Sequence, residues 1–337
     1  MGLREALDKV LAHHDLTAGE AADALGEIVT GDVPPSVIAA FLVALRMKGE
    51  TAAEVAGFAE TMRANAVAVT PKATGLVDTA GTGGDGSGTA NISTAAAFVV
   101  AGAGLPVAKH GNRALSSSSG SADVLEALGV RIDLDADQVV RCIDEAGIGF
   151  IFAPAFHPAM AKVMPVRREL GIRTAFNLLG PLTNPARPSF QLVGVGNPDW
   201  AELVAGALAA LGVERALVVH GEGTDELTCA SANVVITVEN GRIERSVISA
   251  HEVGLDSNPL DAVRGGAPAE NAGTLRATLE GKPGAVTDCV LFNSGAAFVA
   301  AGRARTIAEG VEQARAVIDA GDALAALERL VSLCATL

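Results

Sequence analysis

Asp78-Thr79-Ala80-Gly81-Thr82-Gly83-Gly84-Asp85-Gly86-Ser87-Gly88-Thr89-Ala90-Asn91-Ile92-Ser93-Thr94 leads through an apolar run to Lys109-His110-Gly111-Asn112-Arg113. Leu76 and Val77 ahead of it read as the end of a buried strand, Leu76–Asp78. Five glycines between positions 81 and 88 open backbone angles that a side chain forbids. Thr89, Asn91, Ser93 and Thr94 are N-cap types for the helix that Ala95 to Val100 announces. Strand, glycine loop and helix N-terminus aim free N–H groups and a positive dipole end at one place. The stretch reads as a phosphate cradle.

Other glycine motifs fit less well. Gly81, Gly83 and Gly86 satisfy G-x-G-x-x-G, but a dinucleotide fold needs an acid roughly 20 residues on for a ribose hydroxyl. Here the next strand, Leu105–Ala108, runs into Lys109 and His110, which suit more phosphate. The Gly-Lys-Ser/Thr of a Walker A loop is absent. A tight turn without a ligand explains the glycines but not the polar cluster and the Lys-His pair behind them.

Outward from this stretch, residues 1–66 read as helices. Leu3, Leu7, Val10 and Leu11 share one face. Thr17 with Glu20, and Thr51 with Glu54, spell capping boxes. Pro34-Pro35 opens a third helix that Gly49 closes. Val67 to Pro71 is extended. Strands follow near Leu76–Asp78, Leu105–Ala108, Gly149–Phe152, Gln191–Gly194 and Ala216–Val219, with helices between them such as Ala122 to Leu128 and Ala201 to Leu211. This alternation implies a mainly parallel sheet covered on both faces, with ligands beyond the carboxyl ends of its strands. Asn240-Gly241 marks a hairpin within Val234 to Ile248. Four helices close the chain, near 271–279, 286–301, 307–320 and 324–333. The expected fold class is α/β: a small helical domain, residues 1–70, plus a larger α/β domain, residues 71–337. Helical segments near 158–185 are expected to pack on the small domain.

At 337 residues and 49% apolar the chain easily buries a large core. Its net charge of −14 argues against a nucleic-acid partner. An anionic ligand then needs local cations, which Lys109, Arg113, Arg167 and Arg168 supply. Cys142, Cys229, Cys289 and Cys334 have neither zinc spacing nor the density of a secreted framework, so a reducing cytoplasm is expected. The N-terminus is a charged amphipathic helix, and no apolar run spans a bilayer, so no membrane partner is expected.

Three further constellations carry chemistry. Lys109 is a compact charge for phosphate; Arg113 suits phosphate or a structural ion pair equally, and His110 suits packing better than a ligand. Asp225-Glu226 follows Val218-Val219-His220-Gly221, at the end of the strand Ala216–Val219, and such a pair holds magnesium through one or two carboxylates plus substrate oxygens. Arg167-Arg168 can grip a carboxylate or pair with Glu169. No serine–histidine–acid order stands out, so a hydrolase is a poor fit.

With these residues in view the chain resembles the anthranilate phosphoribosyltransferase family over nearly its whole length. The glycine loop with Asn91 to Thr94, the Lys109 to Arg113 motif, the Arg167 stretch and Asp225-Glu226 occur in that family's order. The resemblance implies a nucleoside phosphorylase/phosphoribosyltransferase-like fold. It implies transfer of the phosphoribosyl group of 5-phosphoribosyl 1-diphosphate (PRPP) to anthranilate in tryptophan biosynthesis, with release of diphosphate. It implies that Gly81, Gly84, Asp85, Thr89, Asn91, Ile92, Ser93, Thr94, Lys109, His110, Gly111, Asn112, Arg113, Ala114, Leu115, Ser116, Ser117 and Ser121 hold PRPP. Gly81, Asn112, His157 and Arg167 would surround anthranilate. Ser93, Asp225 and Glu226 would ligate one or two Mg2+ ions, and the protein would be a homodimer joined through its helical domain. No acid–base residue is implied; Lys109 acts electrostatically. Ala90 stands where an aromatic is common, Ser118 where a lysine is common, and Thr224 where a larger apolar residue is common. A pyrimidine-nucleoside phosphorylase would carry Lys-His-Ser-Thr in place of Lys109-His110-Gly111-Asn112, and an inactive paralogue would not need Lys109, Asp225 and Glu226.

Overall fold

The computed structural model describes residues 1–114 and 118–337. Four helices come first: α1 (Leu3–Leu11), α2 (Ala18–Thr30), α3 (Pro35–Lys48) and α4 (Ala52–Ala64). Both capping boxes form as the local spacing requires, Thr17 with Glu20 and Thr51 with Glu54. Pro35 starts α3, and Gly49 ends it at φ +88°, in the left-handed half of the map. Buried Glu54 accepts from the Leu16 and Thr51 N–H groups and pairs with Lys48, which fixes the loop before α2 against α4.

The rest alternates. In chain order it runs β1 (Val77–Gly81), α5 (Ile92–Gly102), β2 (Val107–Gly111), α6 (Ser121–Ala127), α7 (Ala136–Arg141), β3 (Ile148–Phe152), α8 (Ala153–Phe156), α9 (Met164–Leu170), α10 (Phe176–Leu179), β4 (Phe190–Gly194), α11 (Ala201–Ala210) and β5 (Arg215–His220). The hairpin β6 (Asn233–Glu239) and β7 (Arg242–Ile248) follows, then α12 (Pro268–Leu279), α13 (Ala285–Ala300), α14 (Ile307–Asp319) and α15 (Asp322–Cys334). The seven strands form one sheet in the order β3-β2-β1-β4-β5-β6-β7. The first five are parallel and the last two antiparallel. Asn240 and Gly241 both have positive φ, as a two-residue hairpin turn demands.

The two faces of the sheet belong to two cores. Leu192 and Leu217 pack with Phe98 of α5, Phe292 and Phe298 of α13 and Leu327 of α15. Their neighbours Val193 and Val218 point the other way and join Val204 and Leu208 of α11. That second core also holds Leu25, Phe41 and Phe58 of the N-terminal helices and Val166, Phe176 and Leu179 of α9 and α10. The helical segment and one sheet face therefore share a core.

Three local expectations need correction. β1 does not stop at Asp78 but runs to Gly81, because Thr79, Ala80 and Gly81 stay in register with Leu192, Val193 and Gly194 of β4. Lys109 and His110 lie inside β2 and not in a loop after it, paired with Phe150 and Ile151. Asn91 is the N-cap residue of α5 by position, yet its side chain caps nothing. Its amide donates to the Ser119 carbonyl and its Oδ1 accepts from Asn271, with the backbone held at φ +53°. A tertiary contact has won over the local cap, leaving the first turn of α5 open to acceptors from outside the helix.

Candidate active site at the carboxyl edge of the sheet

The end of β1 and the loops after β4 and β5 meet at two glycines. A Cβ on Gly194 would stand 1.5 Å from the Asp225 carbonyl oxygen, and one on Gly81 would stand 2.1 Å from Asp225 Oδ2. Only glycine at both places lets the Asp225 loop lie against the strand ends. Once there, Asp225 Oδ2 accepts from the Gly83 N–H at 2.7 Å. Glu226 Oε1 accepts from the Ser93 N–H at 3.1 Å, in the first turn of α5. The carboxylate pair is thus fastened to the glycine loop on one side and to the helix N-terminus on the other.

Asp85 completes this cluster. Its Oδ2 accepts from the Ser87 hydroxyl at 2.6 Å and from the Asp225 N–H at 3.3 Å. Burial pushes the Asp225 carboxyl up to about 6, with the charge of Asp85 adding to it. Burial and then Asp225 push buried Glu226 well above the carboxylate range. Lys109 is the buried cation in this field; its Nζ donates to the Thr79 carbonyl at 2.6 Å, and burial lowers its pKa against the pull of Asp78, Glu226 and Asp225.

Crowded carboxylates with raised pKa values suit a cation. Oxygen donors of this kind select a hard divalent ion such as Mg2+. Among the described residues no group of three or more histidine, cysteine, aspartate or glutamate side chains is arranged to hold a metal ion.

Behind the cradle, Asp78 is fully buried in β1 and is pushed up to about 6 by burial. It accepts from the His110 N–H at 3.2 Å and from Asn184 Nδ2 at 2.8 Å; the same amide donates to the Ala108 carbonyl. This ties the segment after α10 to β1 and β2. His110 Nδ1 lies 3.1 Å from the Gly180 carbonyl, so it carries the proton, and His110 Nε2 faces His157 Nε2 at 3.2 Å. Burial, and for His110 the second ring, push the pair down to about 3 for His110 and about 4 for His157. Both rings are neutral at pH 7. His157 then donates through Nε2, and its Nδ1 is left as a buried acceptor without a protein partner among the described residues.

Arg167, in the last turn of α9, lies over the Phe176 ring at 5.5 Å and contacts Met164 Sδ at 3.7 Å. It is half-buried, and among the described residues no carboxylate pairs with it. Burial lowers its pKa. A guanidinium of this kind can pair with a carboxylate.

Other predicted residues are placed differently. Arg113 bridges Asp123 at 2.9 Å and Glu126, and lies over Phe152, so the ion pair has claimed it. The Ala114 N–H goes to Asp123. Asn112 turns back on its own loop, its Oδ1 accepting from the Arg113 N–H, while its carbonyl accepts from the Ser121 hydroxyl. Gly111 is required because a Cβ there would stand 2.2 Å from Ser121 Oγ. Thr89 bridges to Arg264 beside the loop, and Gly84 has φ +70°. Ile92 is core, and Thr94 is buried in the first turn of α5. His220, the last residue of β5, is engaged with the Val195 carbonyl at 2.7 Å. Leu115, Ser116 and Ser117 lie outside the described residues. Missed at the level of sequence were Asn184, Asp78 and Arg63, whose Nε donates to the Leu182 carbonyl at 2.7 Å. Their partners are distant in the chain, so no local spacing signals them.

Proteins of known sequence and structure are similar to this chain over nearly its whole length. Residues 4–66 match the helical bundle domain of a glycosyl transferase family, and residues 73–324 match that family's a/b domain. The anthranilate phosphoribosyltransferase of Thermomicrobium roseum is 54% identical over 329 residues, covering 96% of this chain and 94% of that protein. The chain belongs to the anthranilate phosphoribosyltransferase family. Among solved members, the anthranilate phosphoribosyltransferase of Thermus thermophilus superposes with a TM-score of 0.93 at 46% identity, over 98% of this chain and 99% of that one. The Saccharomyces cerevisiae anthranilate phosphoribosyltransferase in complex with PRPP and Mg superposes with a TM-score of 0.90 at 28% identity, over 99% of this chain and 98% of that one. The expected helical bundle with a mainly parallel α/β domain is therefore the family's architecture.

Proposed function

We infer that this protein transfers the phosphoribosyl group of PRPP to the amine of anthranilate, giving N-(5-phosphoribosyl)anthranilate and diphosphate in tryptophan biosynthesis. The observation that carries the reading is the junction of the glycine loop, Lys109 and the Asp225-Glu226 pair at one strand edge, in a chain of this family.

In this reading the loop N–H groups and the open turn of α5, with Gly81, Gly84, Asp85, Thr89 and Asn91 to Thr94, take the diphosphate and ribose of PRPP. Lys109 to Ser117 and Ser121 complete that site. Arg113 contributes through its backbone, since Asp123 and Glu126 hold its side chain. Asp225 and Glu226, with Ser93, would hold one or two Mg2+ ions, supported by their crowding. Magnesium, when bound, supplies charge neutralisation for the departing diphosphate. Arg167 receives the anthranilate carboxylate, and Gly81, Asn112 and His157 border the ring. Residues 1–70 are taken as a helical domain and 71–337 as the transferase domain.

The residues themselves do little proton chemistry. The aromatic amine of anthranilate is neutral at pH 7 and needs no base to attack. Neutral His110 and His157 offer no acid. Lys109 and the aligned N–H groups stabilise developing negative charge, and Arg167 orients the acceptor. His157 Nδ1 is a bare acceptor that a ligand N–H can satisfy. A homodimer through the helical domain is supported by apolar side chains left exposed there, Leu11 and Met47 at 61% and 77%. No helix among the described residues is long and apolar enough to cross a membrane, and all four cysteines are free and buried, which suits the cytoplasm.

Complementation tests the reading. The gene for this chain should restore growth without tryptophan to a strain lacking only this transfer step. Failure with soluble protein present would overturn it.

A further inference from the structure

The glycine loop is short of positive charge. Asp85, Asp225 and Glu226 crowd it, the Lys109 ammonium is drawn toward Thr79, and the Arg113 side chain is committed to Asp123 and Glu126. A diphosphate arriving there brings several more negative charges. One further cation touches the loop itself. Arg173 lies between α9 and α10, exposed, and its guanidinium donates to the Gly84 carbonyl. The same group sits 5.7 Å from the ring centre of Trp200, which ends the short 3-10 turn Pro198–Trp200 after β4. Stacking on the indole orients the fork toward the loop. Among the described residues no carboxylate pairs with Arg173. A guanidinium carries five N–H donors, and one carbonyl leaves most of them for another acceptor.

We propose that Arg173 is a further binding residue for the diphosphate group of PRPP, delivered to the glycine loop from the acceptor side of the cleft. Phosphate oxygens are stronger acceptors for a guanidinium than a peptide carbonyl, and they match its fork bidentately. There is room at this contact: a Cβ added at Gly84 would stand 3.7 Å from Arg173 Nη2, an ordinary contact distance. The placement also links the two substrates. Arg173 is six positions beyond Arg167, on a segment whose Val166, Ala175 and Phe176 pack in the core of the N-terminal helices. An anion that engages Arg173 holds that segment against the loop. The inference rests on the phosphoribosyl-transfer reading above.

Calorimetric titration with magnesium diphosphate tests it, on wild type, Arg173→Gln and Arg173→Lys. Glutamine keeps an N–H donor for Gly84 but removes the charge and the fork. The dissociation constant should rise about tenfold or more in Arg173→Gln and recover in part in Arg173→Lys. The KM for PRPP should rise with it, while the KM for anthranilate at saturating PRPP and the thermal midpoint stay near wild type. Wild-type affinity in Arg173→Gln overturns the proposal, and so does a fall in thermal midpoint with an equal rise in both KM values, which marks a structural tie alone. If the wild type binds neither magnesium diphosphate nor PRPP, this inference and the transfer reading fail together; if it binds both and Arg173→Gln does too, only this inference fails.

Discussion

Gly81→Ala isolates the contact on which the site is built. Gly81 has no positive φ, so alanine costs the backbone little. Its new methyl would stand 2.1 Å from Asp225 Oδ2 and 2.8 Å from Cγ, well inside contact distance, while Asp225 Cβ at 3.4 Å is tolerable. The carboxylate must swing away, and the 2.7 Å bond from the Gly83 N–H breaks. A hydrogen bond to a charged acceptor is worth roughly 1.5–3 kcal/mol. If that energy holds Asp225 where the leaving group needs it, kcat/KM falls about 10- to 150-fold. The magnesium concentration for half-maximal rate should rise. The fold should survive, because the displaced atoms end a side chain; at Gly194 the obstacle is the Asp225 backbone at 1.5 Å, and Gly194→Ala should lose soluble protein. Steady-state kinetics across a magnesium titration would be run on Gly81→Ala, Asp225→Ala and the double variant. The two effects should not add, since Asp225→Ala removes the clashing group. Full additivity, or wild-type magnesium dependence in Gly81→Ala, would refute the reasoning.

Three other outcomes follow from the same geometry. Arg167→Ala should raise the KM for anthranilate by roughly ten- to a hundredfold and leave that for PRPP nearly unchanged; equal changes in both would mark a folding defect. His110→Asn should cost about tenfold or less in single-turnover rate, below the roughly 10²- to 10⁴-fold of a lost acid or base, and a loss beyond a thousandfold would expose a missed proton transfer. His157 binds a proton less readily folded, at about 4, than unfolded. Between those values the unfolded chain holds more protons, so the ring's contribution to stability is complete above pH 6.5 and is lost as pH falls toward 4. Urea unfolding at pH 7 and pH 5 should therefore show a smaller drop in His157→Asn than in wild type, by about 2 kcal/mol; equal drops would contradict the neutral pair.

What the sequence made legible was what local spacing encodes. Thr17 with Glu20, Thr51 with Glu54 and Asn240-Gly241 each act within four residues, and each forms. The alternation of strands with helices implied a sheet covered on both faces, and Leu192 and Val193 do point into different cores. The glycine loop was readable because backbone chemistry there is local as well. What stayed hidden depends on partners far along the chain. Asn184 reaches Asp78 across 106 positions, and Asn271 takes the Asn91 side chain across 180, which is why an apparent cap caps nothing. Arg113 was ambiguous in sequence, and the outcome rested on where α6 places Asp123 and Glu126. That the N-terminal helices share a core with one sheet face was not written in their own spacing, because α11 supplies the side chains between them.

The central claim is an anthranilate-dependent transfer at the Asp225-Glu226 edge of the glycine loop. Its most direct test is diphosphate release from PRPP by the purified protein in magnesium buffer, with and without anthranilate. The account predicts release that requires anthranilate and matches the phosphoribosylated product one to one, and its loss in Asp225→Ala/Glu226→Ala with the thermal midpoint kept. Release that ignores anthranilate, or that survives in the double variant, would contradict it.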